Sequence, residues 1–200
     1  MLQETPSIAQ LIKSLQQIPY LASKNLYRVT EYFLELDEKR VEQFCSILLQ
    51  VKEHVVKCET CFCWREKERD CSFCANPKRD QQIVCVVETW QELLAIEQTR
   101  GYQGVYHVLG GVIYPLEGVG PEDLTIQQLI KRVEIKQVKE IIFALSQTPE
   151  GEATSAYMAS KLKESGVVIT CLARGIPVGS SLNMMDRLTV FKALSERRPF

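Results

Sequence analysis

Four cysteines spaced Cys58-x2-Cys61-x9-Cys71-x2-Cys74 constrain the folding of this 200-residue chain more than any other feature. Each C-x2-C pair presents two thiolates from one tight turn, and two pairs supply the four soft ligands that tetrahedral zinc takes at about 2.3 Å. Phe62 to Asp70, between the pairs, is mostly charged and offers no core of its own. Metal binding then supplies local folding energy, on the order of 10–16 kcal/mol in small zinc modules. The spacing predicts a closed, structural zinc finger. The alternative is a pair of disulfides. It is disfavoured because Cys45, Cys63, Cys85 and Cys171 sit in apolar or unpaired contexts, as in a reducing compartment. Cys63 breaks the doublet spacing and His54 falls in a helical pattern, so neither is expected among the ligands.

Composition narrows the class. The length allows one large domain, or two small ones plus a finger. Met1 to Gln10 shows no cationic region followed by an apolar stretch, so no signal peptide is expected. No apolar run approaches the roughly 20 residues needed to cross a bilayer. A soluble cytoplasmic protein without a membrane partner is the expectation. Net charge is −1, so no global field draws the chain to nucleic acid. Residues 81–186 hold eight basic and twelve acidic side chains, whereas 1–57 hold seven of each. Nucleic-acid contact must therefore use local clusters, and the N-terminal half is the better place for them.

Residues 1–57 read as helices. Ser7 is expected to cap the first, which carries Ile8, Leu11, Ile12 and Leu15 on one face and stops at Pro19. A second starts near Ser23 and carries Leu26, Val29, Thr30 and Phe33. A third follows Asp37 through Val41, Phe44, Cys45, Leu48 and Leu49. The finger spans 58–78. Beyond it, apolar runs at Ile83–Val87, Val105–Leu109, Val138–Leu145 and Val167–Leu172 alternate with helical patterns at Thr89–Glu97, Leu124–Val133 and Gly151–Ser165, the last closed by Gly166. That alternation predicts an α/β domain over 79–175, a parallel sheet with helices on both faces. Residues 176–200 form an arm of mixed apolar and basic character, suited to packing back or to contacting another subunit.

In an open parallel sheet, sites form at the carboxyl ends of strands. Glu88 follows the first strand, and Ser146-Gln147-Thr148-Pro149-Glu150-Gly151-Glu152 follows the third. This placement of Glu88, Glu150 and Glu152 resembles the Toprim fold of topoisomerases, primases and some nucleases. Catalytic members carry an Asp-x-Asp pair that holds magnesium, where this chain has Ser146 and Thr148. The resemblance without those carboxylates points away from a magnesium-dependent nuclease or primase, which is retained as a rival. Solvated loop acids or helix N-terminal charges are the ordinary alternative for the glutamates. No tyrosine stands out as a nucleophile, with Tyr106, Tyr114 and Tyr157 the ones left open.

Taken together, the finger ending Cys71-Ser72-Phe73-Cys74, Tyr106-His107-Val108-Leu109-Gly110-Gly111, Pro115-Leu116-Glu117-Gly118-Val119-Gly120-Pro121, Pro149-Glu150-Gly151-Glu152-Ala153-Thr154 and Ala173-Arg174-Gly175-Ile176-Pro177-Val178-Gly179 closely resemble the RecR family of bacterial recombination mediators, nearly end to end. The resemblance implies a non-enzymatic, ring-forming homo-oligomer that binds single- and double-stranded DNA. It implies work with RecO, and often RecF, to help RecA replace single-strand-binding protein. The first module would be a helix-hairpin-helix, whose hairpin usually reads Leu-Pro-Gly-Ile-Gly. Here it reads Ile18-Pro19-Tyr20-Leu21-Ala22, and a Cβ at both glycine places disfavours positive φ and close backbone approach to phosphate. Lys24 and Arg28 match the basic positions of the next helix and share one face, suited to a phosphate backbone. Ordinary surface charge is the alternative for that pair. Tyr20 is read either as a base-stacking platform or as a buried hairpin aromatic. A protein adaptor without DNA contacts is the second rival.

Three other features are read as structural. His107 is expected to be a packed, hydrogen-bonded strand residue. Gly110-Gly111 lacks a lysine at Walker spacing, which excludes a phosphate loop. Arg174 is expected either to pair with Glu150 or Glu152 or to face a partner.

Overall fold

The computed structural model describes residues 5–173, 175–197 and 199. The expected pairing of Arg174 and the basic Arg198 lie outside the described residues. The chain divides into two compact units, Met1–Val55 and Val56–Phe200.

The first unit is helical: α1 (Pro6–Leu15), α2 (Ser23–Glu35) and α3 (Glu38–His54). α1 opens on Pro6, and Ser7, the expected cap, lies inside the helix. Proline's fixed φ and missing N–H suit the first helical position, which moves the boundary two residues upstream, with Thr5 as the N-cap residue. α1 and α2 pack together and bury Ile12 and Leu15 from one, Leu26 and Thr30 from the other. The Thr30 hydroxyl donates to the Leu26 carbonyl at 2.9 Å, so its burial leaves no donor unpaired. Asp37 caps α3 by accepting the Arg40 N–H at 3.0 Å. The Phe33 and Phe44 rings meet at 5.4 Å, yet α3 buries none of its residues. Phe44, Ile47, Leu48, Leu49 and Val51 are each at least 45% exposed.

The second unit begins within β1 (Val55–Lys57), which pairs with β2 (Trp64–Glu66) in a two-stranded ribbon. A four-stranded parallel sheet follows, built from β3 (Asp80–Val87), β4 (Gly104–Val108), β5 (Glu140–Ala144) and β6 (Val168–Cys171) in the order β4-β3-β5-β6. Its helices are α4 (Trp90–Gln98), α5 (Ile126–Lys136) and α6 (Pro149–Leu162), and α7 (Arg187–Ser195) lies in the C-terminal arm. β3 starts three residues before the apolar run, across a register irregularity between Asp80 and Val84. α4 is closed by a capping box, in which Thr89 Oγ1 accepts the Gln91 N–H and Glu92 accepts the Thr89 N–H at 2.9 Å.

Strand alternation builds two cores. Val84, Val86, Val105, Ile141 and Phe143 point to the face covered by Ile126, Leu129 and Val133 of α5 and Met158 and Leu162 of α6. Cys85, Val87, Tyr106, Val108 and Ala144 point the other way, against Leu93 of α4 and the cysteines of the finger. The finger therefore occupies part of a sheet face that sequence patterning assigned to helices alone.

β4 is an edge strand, and other elements finish its outward groups. Arg79 Nη1 donates to the Gly104 carbonyl at 3.0 Å, and Arg132 Nη1 donates to the Tyr106 carbonyl at 2.6 Å. The Val108 N–H donates to the Cys61 carbonyl at 2.9 Å, and Thr125 Oγ1 donates to the Val108 carbonyl at 2.8 Å. Edge backbone that would otherwise stay unpaired is satisfied by side chains and by the finger. Among the described residues, no helix is long and apolar enough to cross a membrane.

Candidate metal centre, acidic loop and basic helix

The Sγ atoms of Cys58, Cys61, Cys71 and Cys74 all lie within 4.8 Å of one another. Two tight turns bring them there. The Phe62 N–H donates to the Cys58 carbonyl at 2.9 Å, with Phe62 at φ 61°, and the Ala75 N–H donates to the Cys71 carbonyl at 3.0 Å. All eight cysteines are free thiols. Cys61 and Cys71 stand 3.5 Å apart, far beyond the ~2.05 Å of a disulfide. A tetrahedron with ~2.3 Å metal–sulfur bonds has edges of ~3.8 Å, so the separation fits two ligands of one ion.

Bonds from Cys61, then from Cys71 and Cys74, hold the Cys58 thiol far below its ordinary range, while Cys61 and Cys74 are pushed up, first by their bonds to Cys58. Four such groups cannot all be thiolates without positive charge among them. The four cysteines can hold a metal ion. Cys63 is fully buried, but its sulfur turns to the Cys61 carbonyl at 3.8 Å. His54 is engaged with the Gln50 carbonyl at 2.9 Å.

The acidic residues are placed differently. Glu88 accepts the Ser146 N–H, tying the end of β3 to the loop after β5. Ser146 and Thr148 hydroxyls face each other at 3.2 Å, and Thr148 caps α6 by accepting the Gly151 N–H at 3.2 Å. Gly151 is required there, because a Cβ would stand 2.2 Å from the Ser146 carbonyl oxygen. Glu150 and Glu152 sit in the first turn of α6, where the helix dipole favours them, and Glu152 pairs with Lys192 at 2.5 Å. Among the described residues, the four cysteines are the only group of three or more metal-binding side chains drawn together. Tyr106 is fully buried, with its hydroxyl donating to Glu97 at 2.6 Å. Burial, then the bond to Glu97, raises its pKa and leaves it a poor nucleophile.

Lys24 and Arg28 are both exposed on α2. The turn before it departs from the sequence expectation. Tyr20 adopts φ 64° despite its Cβ, with the Leu21 N–H donating to the Ile18 carbonyl at 3.3 Å. Pro19 in second place and a left-handed third residue give a type II-like turn, which the closing bond and the two packed helices impose on a tyrosine. Its ring is fully exposed, so the buried alternative is excluded. Ala22 stays in the extended region at φ −58°, ψ 138°.

His107 is fully buried, with Nε2 on the Thr125 carbonyl at 3.0 Å and hydroxyl at 2.9 Å. Burial, then the charge of Arg132, lowers its pKa to about 4, so it is a neutral packed residue as expected. Gly110 turns the chain at φ 96°, its N–H on the Glu88 carbonyl at 2.8 Å. Arg79 and Arg132 were not anticipated from sequence. The only signal for Arg132 is a charge set beside buried Leu129 and Val133 in the apolar stripe of α5.

A parallel sheet of this order with acids after its first and third strands defines a Toprim-domain protein, and residues 82–173 match the Toprim domain family. Residues 175–198 match the family "RecR, C-terminal". The chain is 41% identical over 194 residues to "Recombination protein RecR" of Gloeothece citriformis, covering 97% of this chain and 96% of the relative. It is 42% identical over 191 residues to the same-named protein of Acidothermus cellulolyticus, covering 96% of each. With that of Amoebophilus asiaticus it shares 40% over 190 residues, 95% and 94% of the two chains. This chain belongs to the RecR family of recombination proteins.

Proposed function

We propose that this protein is a non-enzymatic mediator of recombinational DNA repair in the cytoplasm, holding a structural zinc in its finger. It binds DNA as a ring-shaped assembly of its own copies and works with RecO, and with RecF, to help RecA load on single-stranded DNA covered by single-strand-binding protein. The observation that carries the non-enzymatic reading is the loop after β5. Ser146 and Thr148 are neutral there, and Glu88 is spent on the Ser146 N–H. Without paired carboxylates, a divalent ion is not held to activate a nucleophile or stabilise a leaving group.

Assembly is supported by the bare apolar side chains of α3 and by exposed Leu188, Phe191 and Leu194 on α7. A near-neutral chain has little attraction for phosphate, so the Lys24 and Arg28 pairs of several copies act together through effective concentration. Exposed Tyr20 offers a ring for base stacking beside them. Light scattering with and without oligonucleotide tests assembly and binding at once. Replacing Lys24 and Arg28 with Ala should remove most binding and reduce its salt dependence, leaving oligomer mass unchanged. Binding equal to the parent's would move the contact elsewhere, first to the basic tail of Arg187, Lys192, Arg197 and Arg198 in the sequence. A parent that binds neither single- nor double-stranded DNA at low salt would instead support the adaptor reading.

A further inference from the structure

Arg132 is about 95% buried, and two of its three guanidinium nitrogens, Nε and Nη2, have no hydrogen-bond partner. The third donates to the Tyr106 carbonyl. A buried, permanently charged guanidinium with idle donors is costly unless negative charge lies near it. No carboxylate pairs with it among the described residues. Arg79 is already committed to Glu97, and Arg65 donates to the carbonyls of Glu66, Lys67 and Arg69. Negative charge would come from the finger, since four thiolates around a divalent ion carry a net charge of −2.

Geometry brings the two together. Tyr106 and Val108 face the same free edge of β4, one accepting from Arg132 and the other donating to the carbonyl of Cys61. Two residues along a strand is about 6.6 Å.

We propose that Arg132 is an outer-shell residue of the metal centre, a cation supplied by α5 that offsets the charge of the metal–tetrathiolate unit. The inference rests on reading the finger as a metal site. Metal retention in the finger is thereby coupled to a helix on the opposite core of the sheet, 58 residues after the last ligand by number (132 − 74).

The test uses the full chain as parent, Arg132→Gln and Arg132→Lys, each titrated for zinc against a chromophoric chelator, with circular dichroism reporting the fold. Leu129→Ala, which loosens α5 without removing charge, is the control for general destabilisation. Arg132→Gln should lose zinc affinity by about tenfold to a hundredfold, the range for outer-shell residues. Arg132→Lys should stay within about threefold of the parent, and Leu129→Ala likewise. A folded glutamine variant that binds zinc as tightly as the parent overturns the proposal. So does a lysine variant that loses about tenfold or more, since the bond to Tyr106 and not the charge would then matter. Should the glutamine variant fail to fold, the lysine variant decides by the same thresholds. A parent that binds no zinc overturns the metal reading itself, an outcome distinct from a zinc-loaded parent with indifferent variants.

Discussion

Arg79 and Glu97 offer the most direct energetic test of how the finger, α4 and the sheet edge hold together. The guanidinium meets Glu97 at 2.6 Å and the Gly104 carbonyl at 3.0 Å. It lies 5.1 Å over the Phe73 ring of the finger and 5.8 Å from Tyr106, whose hydroxyl donates to the second Glu97 oxygen. Side-chain exposure is only 14% and 27%, so water screens the pair weakly. At an effective dielectric of about 20, unit charges about 4 Å apart attract by about 4 kcal/mol. Desolvation cancels part of that, which leaves a coupling of about 2 kcal/mol, within the span of charge-assisted hydrogen bonds. A double-mutant cycle with Arg79→Met and Glu97→Gln measures it. Trp64 and Trp90, the two tryptophans of the chain, both lie in the larger unit, so their fluorescence follows the relevant transition. Loss of about 2 kcal/mol should lower Tm by roughly 4–8 °C. Burial opposes ionisation of Glu97, but the bonds from Arg79 and Tyr106 outweigh it and hold its pKa below 4.5. The ionised carboxylate's contribution is therefore complete above pH 4.5 and is lost as pH falls through the lower folded value. The gap between parent and Glu97→Gln should narrow only below pH 4.5. A coupling under about 0.5 kcal/mol at pH 7, or a gap indifferent to acid, would refute the reasoning.

Cys71→Ser should drop bound zinc from one per chain to none and loosen the finger while circular dichroism keeps most of the sheet signal; unchanged zinc by elemental analysis rules the ligand set out. Gly151→Ala forces a Cβ onto the Ser146 carbonyl and should cost about 1–3 kcal/mol in chemical denaturation, and a neutral result would mean the loop moves freely. Supercoiled plasmid incubated with the protein and magnesium or manganese should stay intact; nicking that Glu88→Ala abolishes would make the protein an enzyme.

Much of the larger unit was legible because β4 and the second half of β3 are buried on both faces. Runs such as Val84–Val87 have no competing helical period, and the cysteine doublets carry their own geometry. The misses have local or long-range causes. Ser7 lost its capping role to Pro6, whose preference for the first helical position is the stronger signal. Tyr20 took a glycine-like φ because the turn between two packed helices imposes it. Periodicity places α3 and its apolar stripe but says nothing of what covers it. The bonds of Arg79 and Arg132 to β4 span 25 and 26 residues and join a side chain to a carbonyl, a pairing with no periodic trace.

The finishing of β4 sets how the protein should fail. Cys61 can hold the Val108 N–H only while the knuckle around it is shaped. Should that knuckle lose its shape, the sheet persists but leaves the Val108 N–H of the edge unpaired, while Arg79, Arg132 and Thr125 still cover the carbonyls of Gly104, Tyr106 and Val108. Such an edge recruits foreign strands by templated pairing. Metal-stripped protein should therefore turn turbid and bind amyloid dyes at temperatures where its helices are still intact. If that turbidity appears, the finger acts as a cover for the end of β4, and its integrity bears on solubility before it bears on stability.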